Sequence, residues 1–196
     1  FKILSKKYDD IELVIGCKVP NWIKKKYRKL KGLIFLENPP IPRGDFFSLY
    51  AKSDILLQPS LTYEYMTFLE SMAFGLPIVT MDGFGNSEFV KHGKNGFLVD
   101  PPEDIPKVIV NPSKFPPVAP TETSQYEIFR KYRKNKGEVN SRVVEDMVKY
   151  CYILIENEAL RRKMGRGGRK RIEGGDLSIQ VRNRKLKKIY EEAIKR

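Results

Sequence analysis

Five short runs of β-branched and aliphatic residues, at 11–15, 33–36, 55–57, 78–80 and 97–99, alternate with stretches of helical spacing. Each run is apolar at nearly every position, as strands covered on both faces are. Alternation of this kind, five times over, predicts a parallel, doubly wound α/β sheet, with the five runs as adjacent strands. Ligands in such sheets sit beyond the carboxyl ends of the strands. The loops after Ile15, Leu36, Leu57 and Thr80 are therefore where a site is expected.

The intervening segments carry helix punctuation. Asn21 is placed to cap a helix over 22–30 that Gly32 closes, and Asp45 one over 46–52. A third helix is expected over 67–74, ended by Gly75 and Pro77, and a short one over 87–91 before Gly93. Trp22 is expected to pack its helix onto the sheet. Seven of the thirteen prolines fall between Pro101 and Pro120, so 101–137 reads as an irregular, peripheral insertion. Helical spacing resumes at Val144, Met147, Val148, Cys151, Leu154 and Ile155. A basic helix over 158–172 stops at Gly174-Gly175. A last helix, capped by Asp176 or Ser178, should bury Leu186, Ile189, Tyr190 and Ala193.

Charge divides the chain unevenly. The formal net charge is +13, of which 130–196 hold 21 Lys/Arg against 9 Asp/Glu. Such a balance suits an anionic partner or a solvated helix surface. No apolar run approaches the roughly 18 residues of a spanning helix. Two distant cysteines, Cys17 and Cys151, exclude a disulfide scaffold and fit a reducing compartment. The single histidine, His92, precedes a turn and reads as solvated or capping. The start lacks Met, which fits a piece of a longer chain.

The densest segment is 59–79, which runs from a strand through a loop into a helix and on to the next strand. A helix N-terminus offers unpaired N–H groups and the positive end of a dipole to an anion such as a diphosphate. Glu64 and Glu70 flank it, and carboxylates accept hydrogen bonds from sugar hydroxyls. A nucleotide-sugar pocket follows from that combination. Thr67-x-x-Glu70 also fits a capping box, in which Thr67 is the N-cap and Glu70 reaches back.

The stretch 68–79 (FLESMAFGLPIV) resembles the donor-site helix of the group 1 family of retaining glycosyltransferases. The resemblance extends to 50–60, to the Gly-rich turn 82–90, to the hairpin and strand at 93–99, and to 157–172 with its Met164-Gly165. It implies a single Rossmann-like α/β domain with a parallel sheet and C-terminal helices, one half of a GT-B fold. On this view 1–196 form the donor-binding domain, truncated at the N-terminus, with the insertion at about 101–137. Upstream would lie a strand, a phosphate-binding Arg and Lys, and the acceptor-binding N-terminal domain.

The implied activity is retaining transfer of a sugar, of hexosyltransferase type, in glycan biosynthesis. The donor would be a nucleotide-diphosphate sugar and the acceptor a glycan or a lipid-linked glycan. No metal or other cofactor is implied as obligatory, and the piece alone should not turn over. Glu70 would bind the ribose hydroxyls. The catalytic, donor-sugar contact would fall to Glu64, or to Thr62 in an ungapped alignment, because five residues rather than seven separate the glutamates. Tyr65 and Met66 stand where glycines are common, and with Thr67 and Gly85 complete the expected donor site. The implied location is cytoplasmic, with Arg161 to Arg171 as a contact for an anionic membrane surface. A basic nucleic-acid-binding domain, without recognisable motifs, and an inactive interaction domain are the alternatives.

Overall fold

A computed structural model describes residues 1–36, 42–59, 65–83, 85–102 and 140–195. The chain divides into two compact units, Phe1–Ser53 and Asp54–Arg196.

In the first unit a 3-10 turn at Leu4–Lys6 precedes β1 (Leu13–Ile15), α1 (Asn21–Tyr27), β2 (Leu33–Phe35) and α2 (Arg43–Lys52). β1 and β2 are parallel, with Leu13 opposite Leu33 and Ile15 opposite Phe35. Two sequence expectations shift here. Pro20 and Pro42, not Asn21 and Asp45, precede the helices. Proline's fixed φ suits the start of a helix, and Asp45 instead sits in the first turn, where its charge complements the dipole. Trp22 does not pack inward; it is 62% exposed. The Pro-rich segment 38–40 lies outside the described residues.

The second unit holds β3 (Leu56–Gln58), α3 (Tyr65–Ala73), β4 (Ile78–Met81), α4 (Asn86–Phe89) and β5 (Gly96–Val99). Three helices follow, α5 (Ser141–Glu156), α6 (Glu158–Glu173) and α7 (Ile179–Ile194). β4 is the centre of a parallel β3-β4-β5 sheet and is buried throughout. Its register sets Ile78 against Leu56 and Gly96, and Val79 against Leu57 and Phe97. The ladders thus form two parallel sheets, not one row of five. Strands consecutive in sequence need not be neighbours in a doubly wound order, which reverses its winding direction at a switch point.

The core of this unit joins Phe68 and Met72 of α3 to Ile78 and Val90, with Leu56, Leu98 and Ile172 packed around them. Each such side chain is worth roughly 1.5–3 kcal/mol when fully buried. α3 ends in a Schellman motif: Leu76 N–H donates to Ser71 O and Gly75 N–H to Met72 O, both at 2.9 Å. Gly75 takes φ +74° to make it. α6 lies close to α3 because its inward residues are glycines. A Cβ at Gly168 would meet Met72 Cγ at 3.0 Å, and one at Gly165 would strike the Gly75 carbonyl.

α5 and α6 are capped by Asn140 and Asn157, whose side chains accept from Val143 N–H (3.1 Å) and Leu160 N–H (2.9 Å). Ser178, not Asp176, caps α7, its Oγ accepting from Val181 N–H at 3.3 Å. The expected buried face of α7 is the main departure. Leu186, Ile189 and Tyr190 are exposed, and no residue of the helix is buried. The insertion expected at 101–137 lies outside the described residues from 103 onward; Pro101 is held by Arg142, which donates to its carbonyl at 2.9 Å.

Candidate functional site

The site residues that the structure describes all belong to the second unit. α3 follows β3, and Gly85 follows β4, so both lie beyond strand carboxyl ends. The helix starts at Tyr65, two residues earlier than the periodicity suggests. Thr67 is therefore inside the first turn and is not the N-cap, which removes the capping-box reading of Thr67 and Glu70. Glu64 and Thr62 lie outside the described residues.

Tyr65 and Met66 open α3 and are 48% and 47% exposed. The first-turn N–H groups, from Tyr65 through Phe68, have no carbonyl four residues back within the helix. Glu70 is half-buried in the second turn. Helical side chains lean toward the N-terminus, so Glu70 covers the strip beside Met66 and Thr67. A carboxylate acceptor thus lies alongside, rather than on, the helix terminus.

The turn after β4 is pinned from below. Gly85 takes φ +84°, which turns the chain so that buried Asn86 points back to the strand ends. Its Nδ2 donates to Met81 O at 3.0 Å and reaches Thr80 Oγ1 at 3.5 Å. Thr80 Oγ1 in turn donates to Gln58 O at 2.9 Å. These bonds link the carboxyl ends of β3 and β4 to the start of α4 without water. The Tyr65 and Phe89 rings stack at 6.3 Å, and Phe89 meets Phe68 at 6.2 Å. Aromatic contact thus runs from the core to the exposed start of α3.

Arg171 of α6 holds the other end of α4. Its guanidinium donates to Phe89 O and, at 2.9 Å, to Glu88 O, and forms a two-pronged pair with Asp176 at 2.6 and 2.9 Å. The Arg171 hydrogen bonds hold the Asp176 carboxyl below its ordinary value. Arg161 does the same for α5, donating to Leu154 O at 2.7 Å and Ile155 O at 3.2 Å, and it pairs with Asp54 at 3.4 Å. A cation at each helix C-terminus satisfies carbonyls left over by the helix.

The basic residues of α6 do not circle the helix in one role. Arg161 and Arg171 face inward, while Arg162, Lys163, Arg166, Arg169 and Lys170 share the exposed side. Of these, Arg162 pairs with Glu158 and Arg169 with Glu173.

Sequence reasoning missed Asn86, Arg171 and the glycine face of α6. Only the last left a signal, since glycines at 165, 167 and 168 inside a helix cost about 1 kcal/mol each and demand a packing reason. Cys17 is exposed, whereas Cys151 is buried and its thiol is pushed up to about 11 by desolvation. The exposed His92 ring, expected to be solvated or capping, instead takes the Leu98 N–H on Nδ1 at 3.1 Å and packs edge-on against Phe97 and Tyr150. Among the described residues no group of three or more His, Cys, Asp or Glu is placed to hold a metal.

The family model described as glycosyl transferases group 1 matches residues 1–111, which span β1 to β5 with α3 and the Gly85 turn. The chain belongs to the group 1 glycosyltransferases. Spore coat protein SA of Bacillus subtilis (strain 168) is 37% identical over 67 residues, which are 33% of this chain. The match spans only 16% of that protein's length. The crystal structure of the C-terminal domain of a group 1 glycosyl transferase, LpcC of Francisella tularensis, superposes with a TM-score of 0.53 at 20% identity. It covers 86% of this chain and 71% of that one. This likeness shows the Rossmann-like α/β fold of one GT-B half, with parallel sheets and C-terminal helices. Among the described residues no helix is long and apolar enough to cross a membrane.

Proposed function

We propose that this chain binds the donor of a retaining glycosyltransferase, a nucleotide-diphosphate sugar, for transfer to a glycan or lipid-linked acceptor. The observation that carries the reading is the family match across α3, with the α3 N-terminus and the Gly85 turn beyond the same strand ends. First-turn N–H groups of α3 would receive the diphosphate, and Glu70 would accept from the ribose hydroxyls. Charge developing on the leaving diphosphate would fall on the same donors, which need no reorganisation as the bond breaks. Glu64 or Thr62 would contact the transferred hexose.

The acceptor would be held by an N-terminal domain, and the chemistry, in the cytoplasm, needs both halves. No metal is needed for the roles assigned here. Tyr65 and Met66, in place of glycines, and the shortened glutamate spacing favour one second reading, a domain that binds donor without transfer.

Titration with uridine, guanosine and adenosine diphosphate sugars, alongside nonspecific DNA at two salt concentrations, tests the proposal. Saturable binding of at least one nucleotide sugar is expected, with DNA binding lost at the higher salt. Retention of DNA with no nucleotide sugar bound would favour the nucleic-acid alternative. Donor binding by the full-length chain without hydrolysis or transfer would leave the inactive reading.

A further inference from the structure

Residues 18–31 hold seven Lys or Arg and no Asp or Glu. The middle of this run is α1, and its two sides differ. Ile23, Lys24 and Tyr27 are half-buried, whereas Asn21, Trp22, Lys25 and Lys26 are exposed. Lys25 and Lys26 stand three and four residues beyond Trp22, so all three share one side of the helix. Arg28 and Lys29 are exposed in the turn that follows. Trp22, the one tryptophan of the sequence, is 62% exposed. Lys26 also lies over the Tyr27 ring, at 5.4 Å to its centroid. None of these cations forms an ion pair among the described residues. The outer side of α1 is thus a single large aromatic ring with uncompensated cations one helical turn away, about 5.4 Å along the axis.

We propose that this side of α1 binds an acidic glycan, one whose pyranose rings carry carboxylates. The choice of a glycan rests on the acceptor proposed above. The face would hold the body of an acceptor polymer, not its reacting end. A pyranose ring presents an apolar C–H face and polar edges. Its face packs on the Trp22 indole while its carboxylate meets Lys25 or Lys26, and the next ring along reaches Arg28 and Lys29. Lysines suit this use, as hydrated point charges on flexible stems that follow a repeating anion without fixed geometry. Three other occupants fit less well. A protein interface is depleted of lysine and packs several apolar groups at its core, whereas Trp22 is the only apolar side chain exposed on α1. That holds equally against the upstream acceptor-binding domain as the cover of this face. A single-stranded nucleic acid stacks successive bases on several rings, and this face offers one. A bilayer takes up an apolar stripe, which a lone ring is not.

The test is calorimetric titration of the full-length chain with polygalacturonate, its neutral methyl ester, polyglutamate and oligothymidylate. Polygalacturonate is expected to bind at least roughly tenfold tighter than the other three, less so as salt is raised. It should also shift a tryptophan emission that Trp22→Phe removes. Trp22→Ala should lower its affinity roughly tenfold or more, as loss of one aromatic anchor does, at unchanged circular dichroism. Trp22→Phe keeps a ring and should retain part of the affinity. Lys25→Gln with Lys26→Gln should lower it chiefly at low salt. Equal binding of polyglutamate or oligothymidylate, or indifference to Trp22→Ala, would overturn the proposal. So would slow thiol labelling of Trp22→Cys, in a Cys17→Ser background, which would show α1 already covered by the upstream domain. The donor site lies in the second unit, so nucleotide-sugar binding should survive every one of these changes. Parent protein that binds nucleotide sugars but not polygalacturonate would overturn this proposal alone, and the converse would overturn the donor reading alone.

Discussion

Gly165 of α6 sits against the carbonyl oxygen of Gly75, the residue that closes α3, so closely that no Cβ fits between them. α3 and the basic helix α6 are thereby one packing unit. Gly165→Ala should cost about 1–3 kcal/mol through overpacking, seen as a lower urea midpoint. Gly44 in α2 is the opposite case, since a Cβ there meets nothing within 4 Å. Gly44→Ala should be neutral to stabilising by about 0.5–1 kcal/mol. Equal effects of the two changes would contradict the close approach.

Glu70→Gln keeps the size of the side chain and removes its charge. If Glu70 accepts from ribose, donor affinity should fall roughly tenfold or more, in line with about 1.5–3 kcal/mol for a hydrogen bond to a charged group. Because Thr67 lies inside α3 rather than at its cap, no loss of a capping box is expected to accompany it. Calorimetric titration and thermal melting of the same variant decide between them. Unchanged affinity with a lowered melting point would remove Glu70 from the donor site.

Arg171→Ala would strip the Glu88 carbonyl of its Arg171 donor, leave Phe89 O with Asn95 Nδ2 alone, and remove the Asp176 pair. A loss of about 1–3 kcal/mol is expected. Hydrogen exchange should rise first in α4 and the Gly85 turn; a uniform rise across the unit would argue against a local anchor.

The same pair has a pH signature. Folding lowers the Asp176 value below its ordinary 3.8, chiefly through the Arg171 hydrogen bond. Its contribution is complete above the ordinary value and disappears as pH falls through the lowered one. The Asp176 side chain is 58% exposed, so solvent screening keeps the effect to at most about 1 kcal/mol. Asp176→Asn should flatten that part of the acid unfolding curve while leaving neutral-pH stability reduced by a similar amount. A curve identical in shape to the parent's would remove the pair from the account.

Thiol reagent at neutral pH should modify exposed Cys17 quickly and buried Cys151 only on unfolding. The Cys151 thiol is pushed up to about 11 from 9.0, so the folded state resists its ionisation. Stability should accordingly fall between about pH 9 and 11, where the unfolded chain releases that proton first. Two rapidly reacting thiols in native buffer would place Cys151 elsewhere.

Local chemistry carried much of this fold in readable form. β-branched runs set off by helical spacing marked the five strands, Gly75 marked the end of α3, and Ser178 was one of two caps considered for α7. These features depend on neighbours a few residues away, so periodicity and punctuation report them directly. The sequence also held α3 with Glu70 and the Gly85 turn on consecutive crossovers, each after a strand carboxyl end, which made the candidate site legible before its geometry was. Tertiary structure decided the rest. It moved Thr67 from cap to first turn, bent Asn86 back onto Thr80, and brought Arg171 to a carbonyl 82 residues away. It also parted the five strands into two ladders and left the apolar face of α7 exposed. Hydrophobic spacing states that a helix has an apolar face. Which surface covers it depends on contacts between elements distant in sequence, and only the folded chain brings those together.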